Sequence, residues 1–225
     1  MSGAAGAIGA AVAHRLEEEG AVVVRADLTG GPEVVRCDVR DPEACVAAVA
    51  TTVERHGRLD VLVNVAGIGA SRRIDDVTLE EWQAVLDVNL TGTFLLSQKA
   101  LPALRASRGV IVNLASVAGL RATPYNAAYC ASKAGVVMLT KSMAVELAAA
   151  GVRVNAVCPS SVDTPFLRNF SVPEGADPAL FARAASPTGR MVQPAEVAAA
   201  VAYLASDEAA SVTGTTLVID GAATA

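Results

Sequence analysis

Tyr129 and Lys133 stand four residues apart in the run Tyr-Cys-Ala-Ser-Lys, and Ser116 lies thirteen residues before the tyrosine. If this stretch is helical, one turn sets the phenol and the ammonium on the same face. A cation beside an acid favours the charged form, so Lys133 is expected to lower the Tyr129 pKa from about 10 toward neutrality. A phenol tuned in that way can exchange a proton with the oxygen of an alcohol or ketone. A lone Tyr-x-x-x-Lys pair also occurs on solvated helix faces, so the rest of the chain decides between the two readings.

The surrounding sequence supplies elements able to hold such a pair. Short apolar runs at 21–26, 59–63, 109–114, 152–157 and Thr216–Ile219 read as strands. Helical patterns cover Pro42–His56, 79–88, 93–106, 127–150 and Pro194–Ala205. Strands that are apolar throughout, without alternation, belong to a parallel sheet covered on both faces. The order predicts a doubly wound, Rossmann-type α/β fold, with a mostly parallel sheet between two helix layers. Residues 1–225 are then expected to form a single domain. Ser116 follows the strand at 109–114, and the carboxyl ends of strands are where such sheets bind ligands. Residues 165–190, with Pro173, Gly175, Pro178, Pro187 and Gly189, read as a substrate lid. Phe166, Leu167 and Phe170 open it, and Met191 and Val192 close it, which predicts a mainly apolar pocket.

Composition narrows the function. A net charge of −5 with no basic run argues against a nucleic-acid partner. No apolar run reaches membrane-spanning length and no signal segment opens the chain, so a cytoplasmic protein with no membrane partner is expected. Cys37, Cys45, Cys130 and Cys158 lack metal-ligand spacing and read as reduced thiols in or near the core. His14 and His56 fall on polar helical stretches, so neither a metal site nor a Ser-His-Asp triad is expected.

The run Ser2-Gly3-Ala4-Ala5-Gly6-Ala7-Ile8-Gly9 opens a helix with small residues at nearly every position. Glycines let the backbone approach a pyrophosphate, and a helix N-terminus offers unpaired N–H groups. Tight helix–strand packing would select the same residues. Asp27 follows the strand at 21–26, where a carboxylate can accept both hydroxyls of an adenosine ribose. That charge repels a 2′-phosphate, so NAD is favoured over NADP, with Arg25 nearby able to soften the preference. A plain turn residue at the strand end is the other reading of Asp27.

Taken together, these residues resemble the short-chain dehydrogenase/reductase family, in its single-domain branch. The matching motifs run in order over nearly the whole chain. They are the turn Gly3–Gly9, Cys37-Asp38-Val39, Asn64-Val65-Ala66-Gly67 and Asn89 within Asp-Val-Asn-Leu-Thr-Gly. Ser116, Tyr129 and Lys133 follow, then Arg153 through Pro159, Val162-Asp163-Thr164 and Val218-Ile219-Asp220-Gly221. The resemblance implies a hydride transfer between a nicotinamide dinucleotide and a secondary alcohol or ketone, with Tyr129 handling the proton. It assigns Ser116 to the substrate oxygen, Lys133 to the nicotinamide ribose, and Asn89 to a helix-kink water that relays protons from the lysine. Gly3, Ala7, Ile8 and Gly9 would meet the pyrophosphate, and Asp27 and Leu28 the adenosine ribose. Asp38 and Val39 would sit at the adenine, and Asn64, Ala66 and Gly67 beneath that ribose. Pro159, Val162 and Thr164 would hold the nicotinamide end. Tyr125 and Phe166 would join Ser116 and Tyr129 at the substrate, a small alcohol or ketone of apolar, cyclic or acyl type.

The chain departs from the family pattern at several positions. Ala7 stands where glycine is usual, Val65 replaces the second asparagine of Asn-Asn-Ala-Gly, and Ser160 replaces a glycine after Pro159. The family also carries an apolar strand directly before the glycine turn, and this sequence begins at the turn. Either the start lies further upstream, or the sheet is rearranged or split. Burying four or five aliphatic side chains, at about 1.5–3 kcal/mol each, is comparable to a domain's whole net stability. A non-catalytic binding or scaffold subunit is therefore the rival reading, and the intact Ser-Tyr-Lys set argues against it. Relatives commonly assemble as tetramers through the helices at 93–106 and 127–150 and the C-terminal segment, so a homo-oligomer, tetramer or dimer, is expected.

Overall fold

The structure is a computed structural model that describes residues 1–168, 172–177, 179–180 and 186–225. Its described strands are β1 (Arg25–Asp27), β2 (Val34–Arg36), β3 (Val61–Asn64), β4 (Val110–Leu114), β5 (Arg153–Pro159) and β6 (Thr216–Ile219). The helices that frame them are α1 (Ala7–Glu18), α2 (Pro42–His56), α3 (Leu79–Leu86), α4 (Gly92–Ser107), α5 (Ala127–Leu147), α6 (Pro165–Arg168) and α7 (Pro194–Ala205). Every strand pair is parallel. β4 and β5 are buried almost throughout, as apolar, non-alternating strands require when both faces are covered. On one face α1 packs against α7, and together they close a core of Val12, Val63, Val112, Val157 and Leu204. On the other, α2 and α4 pack together, and Leu104, Ile111, Leu147 and Val154 fill the interior. This is the expected doubly wound arrangement.

The strands divide into two sheets, β1-β2 and β3-β4-β5-β6. The backbone of residues 1–4 stands between them. Ser2 N donates to Val63 O at 3.0 Å, Ala26 N to Met1 O at 2.9 Å, and Ala4 N to Ala26 O at 3.2 Å. The strand on this side is Arg25–Asp27, against the expected 21–26; Val24 O accepts from the Met1 ammonium at 2.8 Å, and Val22 is 75 % exposed. β2 was not legible, because three residues ending in an exposed arginine give no periodic signal. The helices expected at 79–88 and 93–106 run into one another through a π-helical turn at Asp87–Thr91. A Thr78–Glu81 capping box starts that run.

A chain of buried amides crosses the carboxyl ends of β3 and β4. Asn64 and Asn113 are paired in register, and Asn64 Nδ2 donates to Asn113 Oδ1 at 2.8 Å and to Ser97 Oγ at 2.9 Å. Asn113 Nδ2 in turn donates to Thr140 Oγ1 at 2.9 Å, whose own proton goes to Val136 O at 2.8 Å. The threonine therefore sets the direction of every bond in the chain. Asn64 Oδ1 is left as the one buried side-chain polar atom without a partner among the described residues. These bonds fasten α4 and α5 to the strand ends that face the glycine turn.

That turn tolerates no side chain at two of its glycines. Gly3 has φ +65°, and a Cβ there would fall 2.5 Å from Ala66 N. A Cβ on Gly9 would fall 2.0 Å from Gly3 O, whereas one on Gly6 would have 3.6 Å of clearance. Urea denaturation is expected to show Gly9→Ala destabilised by about 1–3 kcal/mol or more through backbone displacement. Gly6→Ala, at an N-cap where alanine is merely unfavourable, should cost under about 1 kcal/mol. Equal losses for the two would contradict this packing of the turn.

Candidate active site

Lys133 is charged yet only 3 % exposed. Its Nζ donates to Leu114 O, at the last residue of β4, over 2.7 Å. One glycine makes its room: a Cβ on Gly119 would strike the Lys133 backbone at 2.6 Å, whereas one on Gly67 would make ordinary contact with Nζ at 3.6 Å. Burial, which disfavours the ammonium, lowers the Lys133 pKa to about 8.

Tyr129 lies one turn earlier on α5, with Lys133 Nζ 5.7 Å from the centre of its ring. The residue keeps some exposed surface, but its hydroxyl is enclosed, and burial pushes its pKa up to about 12. A hydrogen bond with Ser116 pulls in the other direction without prevailing. The expectation that Lys133 acidifies this phenol is thus corrected. The ammonium is turned to a backbone carbonyl, and desolvation dominates the phenol. Ser116 follows β4 in an extended conformation; its Oγ accepts from Ala118 N at 3.1 Å and donates to Pro159 O at 3.5 Å.

Asn89 occupies the π-helical turn and is fully buried. Its Oδ1 accepts from Ile68 N at 2.8 Å, and its Nδ2 donates to Ile68 O at 2.9 Å and Ser132 Oγ at 3.0 Å. Ser132 Oγ passes its proton to Tyr129 O at 2.8 Å. A Cβ on Gly67 would lie 3.2 Å from Asn89 Oδ1, so the glycine holds the amide and the ammonium beside one opening. The structure therefore gathers Ser116, Tyr129, Lys133 and Asn89. The sequence reading did not single out Ser132, although its place inside Tyr-Cys-Ala-Ser-Lys was a signal. It also missed Asn113, a lone amide in an apolar strand.

The residues expected on the cofactor side have mixed surroundings. Ala7, Ile8 and Gly9 form the first turn of α1, which no side chain caps. Asp27 Oδ2 accepts from Ala5 N at 2.9 Å, tying the carboxylate to the glycine turn, and Leu28 beside it is 56 % exposed. Arg25 is held by Glu17 at 2.7 Å, so it is engaged away from Asp27. Asp38 is clasped by Arg40 at 2.6 Å, which holds its carboxyl below the ordinary range. Val39 is buried in the core, where a Cβ on Gly92 would touch it at 2.6 Å. Ser2 Oγ accepts from Val65 N at 3.3 Å and Ala66 N at 3.4 Å, steadying the loop that leads to Gly67. Pro159 is buried; so are Val162 and Thr164, whose Oγ1 donates to Val162 O at 3.3 Å. The uncapped turn, the side-chain-free approach at Gly3 and the opening at Gly67 fit a dinucleotide.

On the substrate side Phe166 is 46 % and Met191 43 % exposed. Val192 is different: it is buried in the core and exchanges backbone hydrogen bonds with Ser161 and Asp163, so it does not line a pocket as expected. Phe170 and Pro178 lie outside the described residues. A cavity of about 310 Å³ opens beside the start of α5, lined by Arg73, Ile74, Pro124, Tyr125, Asn126 and Leu180 among others. Tyr125 adopts φ +61°, and its hydroxyl accepts from Asp177 N at 2.8 Å.

A parallel doubly wound sheet, with a glycine turn at one end and a Ser-Tyr-Lys set at its rim, defines a dinucleotide-binding class of α/β protein. Residues 3–224 match a family model described as enoyl-(acyl carrier protein) reductase. The chain is similar to 3β-hydroxysteroid dehydrogenase 1 of Eggerthella lenta, with 41% identity over 100% of this chain and 92% of that protein. It is also similar to a protein of Xanthobacter autotrophicus named inactive 2-(S)-hydroxypropyl-CoM dehydrogenase 2, with 42% identity over 100% of both. Among solved structures, 3-ketoacyl-(acyl-carrier-protein) reductase from Brucella melitensis complexed with NADH aligns with TM-score 0.90 and 32% identity, covering 100% of this chain and 96% of that one. The chain belongs to the short-chain dehydrogenase/reductase family, a family of oxidoreductases.

Burial of Lys133 has a measurable cost. Its folded pKa lies below the unfolded value, so between about 8 and 10.5 the unfolded chain binds more protons and stability rises with pH. Below that window the charged lysine destabilises the fold. Lys133→Met is therefore expected to be more stable than the parent by about 1–3 kcal/mol at pH 7. That advantage should shrink toward pH 10 in urea titrations. A variant less stable at pH 7, or a pH-independent gap, would contradict the assignment.

Proposed function

We propose that this chain is an NAD(H)-dependent oxidoreductase that interconverts a secondary alcohol and its ketone, with Ser116, Tyr129, Lys133 and Asn89 as its working set. The observation that carries this reading is the convergence of a Tyr hydroxyl, a Ser hydroxyl and a buried ammonium at the carboxyl end of β4. The nicotinamide, when bound, supplies or accepts the hydride. Tyr129 Oη gives the proton to the substrate oxygen in reduction, and a high phenol pKa keeps that proton in place at neutral pH. Ser116 Oγ donates to the same oxygen and stabilises negative charge as it develops. Lys133, buried and charged, would hold the nicotinamide ribose. Asn89 keeps the π-helical turn open beside it, on the path by which the lysine exchanges protons with solvent.

Gly3, Ala7, Ile8 and Gly9 would hold the pyrophosphate against the uncapped end of α1. Asp27 and Leu28 would hold the adenosine ribose, Asp38 and Val39 the adenine, and Asn64, Ala66 and Gly67 the floor beneath. Pro159, Val162 and Thr164 would hold the nicotinamide. Asp27 would face the ribose, and Arg25 nearby is engaged by Glu17 instead of by Asp27. That supports NAD over NADP. Tyr125 and Phe166 would border an apolar, cyclic or acyl substrate; a named hydroxysteroid dehydrogenase among the relatives supports a cyclic ketone. Exposed Phe94, Met138 and Val145 on α4 and α5 support a dimer or tetramer built on those helices. Buried free thiols at Cys37, Cys45 and Cys158 support a cytoplasmic location.

Two measurements test this reading. Tyr129→Phe is expected to lower NADH-dependent reduction of a cyclic ketone by at least about 10³-fold while NADH binding, followed by its fluorescence, changes less than about threefold. Retained turnover would remove Tyr129 as proton donor, and a parent that binds no NADH would favour the non-catalytic reading. Asp27→Ser is expected to shift the NADH-to-NADPH preference at least about tenfold toward NADPH, and an unchanged ratio would remove Asp27 as the reader of the ribose.

A further inference from the structure

Ser116 Oγ donates to Pro159 O over 3.5 Å, at the limit of hydrogen-bond length, so that bond alone does not fix the hydroxyl. Its position depends on the loop that Ser116 opens. Inside this loop Ala118 N donates to Ser116 Oγ at 3.1 Å and Gly119 N to Ser116 O at 2.9 Å. Leu120 N and Arg121 N both donate to Val117 O at 2.9 Å. These bonds shape the turn without tying it to the sheet. At its entry the loop is held by Ala115 N, which donates to Val157 O at 2.9 Å. At its exit Arg121 Nη1 donates to Ala223 O, 102 residues further on.

The acceptor belongs to a firmly held turn. Asp220 follows β6 and is 9 % exposed. Its Oδ1 accepts from Ala222 N at 2.9 Å, and its Oδ2 from Thr224 N at 2.8 Å and Thr224 Oγ1 at 2.6 Å. Ala222 takes φ +67°, a conformation that disfavours an alanine and persists where its surroundings over-determine it. Ser186 Oγ donates to Gly221 O at 3.0 Å, and Ala223 is buried. The turn also reaches the other partner of Ser116. Ser160, next after Pro159, donates its N–H to Ile219 O at 3.0 Å, one residue before Asp220. Bonds and backbone thus close a circuit: from Ser116 to Pro159 and Ser160, on to Ile219, around the Asp220 turn, and back through Arg121.

We propose that Arg121 is a positioning residue which, held by the Asp220 turn, fixes Ser116 in place for the reaction. The proposal rests on the oxidoreductase reading and extends it beyond the Ser116, Tyr129, Lys133 and Asn89 set. Arg121 acts through Ser116 and not on the substrate. A charged donor makes a stronger bond than a neutral one, which suits it to anchor a short loop across the rim of the sheet. Misplacing a reacting group by about 1 Å can cost about 10²-fold in rate, so a small shift of this loop is enough to register.

A double-mutant cycle tests this. Arg121→Gln is expected to lower kcat for NADH-dependent reduction of a cyclic ketone at least about tenfold, with KM and NADH affinity within about twofold of the parent. In a Ser116→Ala background the same change should cost less than about twofold. Asp220→Asn, which disturbs the turn and leaves Arg121 intact, should lower kcat in the same manner and be equally silent without Ser116. Equal losses in both backgrounds would make Arg121 a general structural tie and overturn the proposal, as would a parent-like kcat in Arg121→Gln. Hydrogen exchange reads the anchor without turnover. The amides of Ala118, Gly119 and Arg121 should exchange at least about tenfold faster in Arg121→Gln than in the parent, and unchanged exchange would overturn the proposal. If the parent binds NADH but reduces no ketone, the oxidoreductase reading fails, and hydrogen exchange alone decides whether Arg121 holds the loop.

Discussion

Lys133 holds a charge where almost none of its surface meets solvent, and its ammonium donates to Leu114 O. Removing an ammonium from water is expensive unless something compensates it, and one neutral carbonyl compensates it only in part. Much of the surrounding architecture serves that side chain. Gly119 is bare where a methyl group would strike its backbone. Asn89 bends the α3–α4 run through a π-helical turn and spends its amide on Ile68 and Ser132. π-Helical turns of this sort recur where function displaces regular helix geometry. A group that destabilises its own fold is kept for what it does, and the proposed role beside a ribose and a phenol supplies the reason.

The same low-dielectric setting explains the state of Tyr129. Burial acts on an acid and a base in opposite directions, raising the phenol to about 12 and lowering the ammonium to about 8. Each is moved toward its neutral form. A neutral phenol that keeps its proton suits a donor to a ketone, and a lysine poised near 8 can respond when charge appears next to it. The buried amide chain from Ser97 through Asn64 and Asn113 to Thr140 gives this site a rigid back wall.

Much of the arrangement was legible in the residue order. The apolar, non-alternating runs at β4 and β5 announced a parallel sheet, and the four-residue spacing of Tyr129 and Lys133 announced a shared helix face. Other features depend on contacts that no local pattern reports. β2 is a three-residue strand made by pairing with β1. The seam between the two sheets is carried by the backbone of residues 1–4, whose partners on either side no local pattern names. The sign of the Tyr129 shift also escaped the sequence, since spacing places an amine near a phenol but does not say where the amine's hydrogen bond goes. Val192 was read as pocket lining and proved to be core, because its backbone pairing with Ser161 and Asp163 turns it inward.

Three lysines occur in the chain, so their side-chain resonances can be resolved one by one after ¹³C labelling. Titrating the Lys133 Cε signal, assigned by its loss in Lys133→Met, reads the buried ammonium directly. A midpoint near 8 is the expected result. A midpoint at the ordinary lysine value of about 10.4 would mean that water reaches this side chain, and the account of the site built around it would not stand.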